Sequence, residues 1–189
     1  NMKKLAQSAT VWKVVLAPAQ LYNTNGIGKL TDKEKAKREQ KIEQEKAAVA
    51  ECLNQALGID KAKVLNILET KKNSYWEVVA SKVETDAKDK IVNYEDAYGK
   101  RTKDTSSLPN IISLVEDYKR YYPYGDFASS VLGFTNNDGD GVEGLEAEYN
   151  SQLAGVNGRI IAAKSATQTD MPFQYQQKVK AQNGSSLVL

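Results

Sequence analysis

The stretch Arg120-Tyr121-Tyr122-Pro123-Tyr124-Gly125 leaves the backbone few paths. Ile111 to Tyr122 is rich in β-formers and reads as a long strand. Pro123 biases Tyr122 away from the α region, so the strand stays extended up to a turn. Gly125 permits the reversal that bulky residues resist. Asp126 is then placed to cap a short helix in which Ala128, Val131 and Leu132 share a face, and Gly133 is placed to end it. The block predicts a strand–turn–helix joint with Tyr122 and Tyr124 on opposite sides. One of those rings is expected to pack inside with its hydroxyl hydrogen-bonded.

A second block, Gly141 to Arg159, has a similar logic. Gly144 precedes an expected helix with Leu145, Tyr149 and Leu153 at i, i+4 and i+8, and Gly155 stands at its C′ position. Glu146 falls in the first turn, where the helix dipole favours a carboxylate. A bidentate contact between Glu146 and Arg120 would pin the strand joint to this helix. Between the blocks, Asn136, Asp138 and Asp140 occupy the first, third and fifth positions of a calcium loop, with Gly141 sixth. The twelfth position, which needs a bidentate Glu, is Ala147, so an Asx-type turn is the better reading.

Elsewhere, Val11 to Leu16 reads as a buried strand ended by Pro18, and Asn23 to Gly28 as a turn. Thr31-Asp32-Lys33-Glu34 has capping-box spacing. A long helix to Leu57 should follow, with Gly58 at C′ and Ile42, Val49, Leu53 and Leu57 as its apolar stripe. Asp60 is placed to cap a shorter helix carrying Val64, Ile67 and Leu68. Tyr75 to Val83 reads as a strand, Asp86 to Tyr98 as a helix ended by Gly99, and Lys100 to Asn110 as a polar loop. Asn157-Gly158 and Asn183-Gly184 read as hairpin turns. Arg159 to Lys164 and Tyr175 to Ala181 read as strands flanking a Met171-Pro172 turn region. The fold class is α+β: a strand-rich base (1–29 and 111–189) with an inserted, mainly helical head (30–110).

Composition narrows the chemistry. The net charge is +2, from 26 basic and 24 acidic residues, so nucleic-acid binding lacks an electrostatic driving force. No run of about 18 apolar residues is present to span a bilayer. Histidine is absent, which removes the commonest general base and transition-metal ligand. Cys52 is alone, so no internal disulfide forms, and its expected place is an apolar helix face.

The two blocks resemble the R-x-Y-P-x-G and G-x-x-G-h-E-x(6)-L-x-G-x-x-G signatures of the non-catalytic dimerisation, or pedestal, domain of class B penicillin-binding proteins. Arg120, Tyr122, Pro123 and Gly125 carry the first signature. Gly141, Gly144, Glu146, Leu153, Gly155 and Gly158 carry the second. Phe127 to Phe134 resembles that family's A-x-x-V-L-G-F segment. Asn1 to Ala6 resembles the tail of its first motif, with Met2 where the family usually has Gly. Met171-Pro172 and Gly184 to Leu189 resemble the approach to the transpeptidase domain. The spacing is most similar to division- or sporulation-type enzymes of clostridia-like Gram-positive bacteria.

The resemblance implies a pedestal that holds a peptidoglycan D,D-transpeptidase outside the membrane, with a transmembrane helix and the catalytic domain expected outside this stretch. Implied partners are that transpeptidase domain and membrane proteins of cell-wall synthesis, division or sporulation, with a homodimer as a further option. No cofactor or metal is implied. The family's S-x-x-K, S-x-N and K-T-G motifs do not occur in these 189 residues, so no catalytic residue is expected in them. The rival reading is a free-standing extracellular interaction module that uses the charged helix near 31–57.

Overall fold

A computed structural model describes residues 3–22, 31–104, 107–156, 158–162 and 176–188. The expected turn at Asn23 to Gly28 and the Met171-Pro172 region lie outside them. The chain divides into two compact units, Ser8–Lys119 and Asn1–Gln7 with Arg120–Leu189.

The first unit holds a three-stranded sheet. Its strands are β1 (Gln7–Leu16), β2 (Glu77–Val83) and β3 (Ile112–Tyr121), in the order β2-β1-β3. β1 and β2 are antiparallel, and their register shifts between Trp12 and Val14 and again between Val14 and Val15. Such irregularity breaks strict in–out alternation, and Val14, Val15 and Leu16 are all buried. Lys82 adopts φ 55 on β2 and its ammonium reaches β3, donating to Asp117 Oδ1 at 3.1 Å and to the Tyr118 carbonyl at 2.7 Å.

Among the described residues five helices complete this unit: α1 (Ala19–Tyr22), α2 (Asp32–Leu57), α3 (Lys61–Thr70), α4 (Thr85–Thr102) and α5 (Ser107–Ile111). The Glu34 carboxylate accepts from the Thr31 N–H at 2.8 Å and from the Thr31 hydroxyl at 2.6 Å, which fixes the start of α2. Gly58 ends it at φ 68, with its N–H donating to the Asn54 carbonyl. Asp60 caps α3 by accepting from the Ala62 N–H at 3.1 Å. The core joins Val14, Leu16, Val49, Leu53, Val64, Leu68, Ile91, Tyr98, Leu108 and Ile111. Cys52 is buried in the same core. No helix among the described residues is long and apolar enough to cross a membrane.

Three sequence expectations need correction here. Gly99 does not end its helix: α4 runs on to Thr102, and Lys103 takes the left-handed cap at φ 58. Burial of Tyr98 and Gly99 outweighs glycine's weak helix propensity. The stretch from Lys100 to Asn110 is not simply a loop, because buried Leu108 and Ile111 draw Ser107–Ile111 into a helical turn. The third concerns α2, whose charged run from Asp32 to Gln44 is exposed apart from half-buried Arg38 and Ile42, but whose buried edge differs from expectation. Its stripe is wider than four apolar residues, Ile42 and Leu57 are only half-buried, and Glu45 and Lys46 are buried.

The Lys46 ammonium bridges Glu43 on its own helix at 2.7 Å and Glu69 on α3 at 2.8 Å. Burial pulls its pKa down, but the two carboxylate hydrogen bonds outweigh that and hold it at about 12. Both carboxylates are mostly exposed and return to water if the lysine is lost. Lys46→Met keeps the stem's packing and should therefore cost less than about 1 kcal/mol. Lys46→Ala should cost roughly 2 kcal/mol, because it empties a buried site. Urea denaturation of the two variants would read that difference.

The second unit contains α6 (Ser129–Leu132), α7 (Gly144–Glu148) and α8 (Asn150–Leu153), with an antiparallel ladder of β4 (Arg159–Ala162) and β5 (Gln176–Val179). The Val156–Gln182 bridge continues the ladder's register, so Gly158 lies along it and not at a hairpin tip. Asn157 lies outside the described residues. Asn183-Gly184 is not a hairpin turn either: Gln182 ends the pairing, and no strand follows among the described residues.

Candidate functional site

The strand–turn–helix joint starts where β3 ends at Tyr121. Pro123 follows, and Gly125 takes φ 54 with its N–H on the Tyr122 carbonyl at 3.1 Å. Two more turns follow, with Phe127 N–H on the Tyr124 carbonyl and Ser129 N–H on the Asp126 carbonyl, each at 3.1 Å. The expected side-chain cap by Asp126 is not made. Ala128 at φ 57 precedes α6, which begins at Ser129. Of the face expected on this helix, Leu132 is buried and Val131 is exposed.

Past Gly133 the chain folds back on itself. Val142 N–H reaches the Phe134 carbonyl at 2.9 Å, and Thr135 bridges Gly141. The Asn136 side-chain oxygen organises the intervening turn by accepting from the N–H groups of Asp138 and Asp140, both at 2.9 Å. This is an Asx-type turn, and it engages the oxygen that a calcium site would use first.

The fold-back delivers Glu146 to Arg120. Arg120 Nε donates to Glu146 Oε1 at 2.9 Å, with side-chain exposures of 19% and 5%. A nearly dry carboxylate is tolerable there because a cation faces it. Tyr122 lies beside the pair. Its hydroxyl is buried without a hydrogen-bond partner among the described residues, contrary to expectation. Thr135 lies near it without a bond of normal geometry. Burial, then the Glu146 charge, push the phenol above its ordinary pKa. Tyr124 is exposed and meets Phe127 edge-on at 6.4 Å between ring centroids.

The helix expected after Gly144 is in fact two. α7 stops at Glu148, and Tyr149 at φ −102 and ψ 18 separates it from α8. The stripe of Leu145, Tyr149 and Leu153 is accordingly uneven, with Tyr149 exposed and both leucines half-buried. The break sets Asn150 at the start of α8, where its side-chain oxygen accepts from the Gly141 N–H at 3.0 Å. Asn150 carried no distinguishing signal in the sequence.

The glycines of this unit serve close backbone contact more than turning. A methyl group at Gly141 would overlap the Glu146 carbonyl, and one at Gly144 would overlap the Val131 carbonyl. At Gly133 it would strike the Glu143 carbonyl. Gly155 follows Ala154, the C-cap of α8 at φ −70 and ψ 130, but lacks the left-handed backbone of a glycine cap. Gly155 lies against the Gln182 carbonyl, and Gly184 against the Leu153 carbonyl. At Gly158 a Cβ would stand 2.7 Å from the Ala181 nitrogen. Gly133 and Gly184 thus mirror Gly144 and Gly155 across two glycine-to-backbone contacts.

Comparison with known proteins places this geometry. The chain is 29% identical over 107 residues to the peptidoglycan D,D-transpeptidase FtsI of Buchnera aphidicola, covering 57% of this chain and 16% of that protein. It is 35% identical over 78 residues to stage V sporulation protein D of Bacillus subtilis, covering 41% of this chain and 12% of that protein. The matched stretches are therefore a small part of these relatives' length. Penicillin-binding protein 2X of Streptococcus thermophilus shares the fold, with a TM-score of 0.55 at 23% identity over 95% of this chain and 25% of that one. In a complex between penicillin-binding protein PBP2 and MreC from Helicobacter pylori, a chain matches at a TM-score of 0.50 and 19% identity over 96% of this chain and 31% of that one. The model of the penicillin-binding protein dimerisation domain matches residues 1–189, so the α+β chain with its Arg120–Glu146 joint belongs to that family.

Proposed function

We propose that this chain is the non-catalytic pedestal of a peptidoglycan D,D-transpeptidase, positioning a catalytic domain on the outer side of the bacterial membrane. The observation that carries the reading is the joint itself. Its one buried carboxylate is committed to an arginine, in a family whose relatives are named as transpeptidases. A carboxylate held by a guanidinium organises structure and is poorly placed to move protons. The sequence also has no S-x-x-K, S-x-N or K-T-G, which the serine-acylating chemistry requires.

Arg120, Tyr122, Pro123, Gly125, Gly141, Gly144, Glu146, Leu153, Gly155 and Gly158 act in this reading as architecture, locking the strand joint to α7 and α8. Exposed Tyr124, Phe127, Val131 and Phe134 in one unit, and Tyr75, Trp76 and Tyr118 in the other, suit contact with proteins. Those proteins would be the attached transpeptidase domain and cell-wall-synthesis membrane proteins; the H. pylori relative was solved with MreC. A homodimer is a further arrangement of the same surfaces.

The test is acylation by a fluorescent penicillin, read on a denaturing gel. The 189-residue chain should take no label, and the longer polypeptide that carries it should be labelled. Covalent label on the chain alone would overturn the assignment.

A further inference from the structure

One half-buried acid serves neither the core nor the joint. Glu95 lies on the inner face of α4, one turn from fully buried Ile91 and from largely buried Tyr98. Its Oε1 is shielded from solvent and has no hydrogen-bond partner among the described residues. α4 packs along α2, and across that seam Glu95 acts on the Cys52 thiol, which is itself fully buried. Beside the seam is a cleft of about 320 Å³, lined by Cys52, Gln55 and Ala56 of α2 and by Lys90, Asn93 and Tyr94 of α4.

The charges around Glu95 do not compensate an ion there. Asp96, its neighbour on α4, is the one charge that acts on it appreciably, and it repels. From α2 the facing groups are Lys41 and Glu45, which act on Tyr98, Glu51, which acts on Tyr94, and Cys52, on which Glu95 acts. α5 carries no ionisable side chain, and the one charged residue of β1, Lys13, lies 3.9 Å from Asp117. Lys90 and Arg101 on α4 itself lie along the cleft and over the Tyr98 ring. Burial first, and Asp96 second, raise the carboxyl to about 7.

We propose that Glu95 makes the α2–α4 seam a pH-gated joint, closed around the neutral acid and opened when the ionised carboxylate moves out towards the adjoining cleft, uncovering Cys52. The native state holds the proton to higher pH than the unfolded chain. Stability therefore falls as pH rises from about 4.5 to about 7 and levels off above that. Neighbouring acidification tightens the seam, and neutral to alkaline conditions loosen it.

Cys52 alkylation, followed by mass spectrometry at its own peptide, tests this in the full chain and in Glu95→Gln. The ratio of native to variant labelling rate cancels the thiol's own titration. It should rise roughly tenfold or more between pH 5.5 and 8.5, since each unit of raised pKa is a factor of ten in the opening equilibrium. Hydrogen-exchange protection, corrected for the intrinsic pH dependence of amide exchange, should fall along α4 over the same range and stay unchanged at β4 and β5. A ratio that does not change with pH overturns the proposal. If Glu95→Gln fails to fold, a carboxyl-carbon NMR titration of the native chain decides: a Glu95 midpoint near 7 supports the gate, and one near the ordinary glutamate value removes it.

Discussion

Arg120→Ala is expected to lower the melting temperature of this protein by roughly 6–12 °C, the largest loss from any single charged side chain. Leaving a buried carboxylate without its partner costs about 3 kcal/mol, which at about 2–4 °C per kcal/mol for a chain this long gives that range. Glu146 is 5% exposed and Arg120 is 19% exposed, so the stranded charge is the carboxylate, and it is almost dry. The reciprocal change, Glu146→Ala, should cost somewhat less because the guanidinium is nearer to water. Replacing both residues with leucine or methionine should recover much of the loss, since two apolar groups need no partner. A double-mutant cycle by calorimetry would show a coupling of at least about 1 kcal/mol if the pair is a unit.

Gly144→Ala is expected to be at least as damaging, at about 3 kcal/mol or more, for two independent reasons. The backbone there takes φ 60, which costs an L-residue about 1–2 kcal/mol. The added methyl would also overlap the carbonyls that close α6 onto α7, and backbone cannot swing aside as a side-chain tip can. Gly125→Ala separates the two terms. It has a similar φ of 54 but open space around the missing Cβ, so it should cost only the conformational term. Equal losses at the two positions would show that close packing at Gly144 contributes nothing.

These two sites also show what the sequence could and could not disclose. Thr31 with Glu34, Asp60 and Gly58 were legible because capping is decided within four residues of chain. Arg120 and Glu146 were legible as a pair because each of the two signatures holds one fixed charge, and the two are of opposite sign. The glycines were misread as turn formers at Gly155, Gly158 and Gly184. A glycine needed for left-handed backbone and one needed for close approach look identical in sequence, and only the partner strand distinguishes them. The burial of Lys46 was not legible because its second carboxylate, Glu69, belongs to another helix. The run from Lys100 to Asn110 looked like a loop because Leu108 and Ile111 are too few to set a period, yet both are buried by distant parts of the chain.

The central claim is that this domain supports a catalyst without taking part in the chemistry. The most direct test compares the longer native polypeptide with its Arg120→Ala form, below the melting temperature of both. Penicillin acylation and partner-dependent peptide cross-linking would be measured on the same samples. Acylation should stay within about twofold while cross-linking falls roughly tenfold, a coupling of ordinary size between distant sites. A parallel loss of acylation in folded protein, or cross-linking that stays at the native level, would contradict the account.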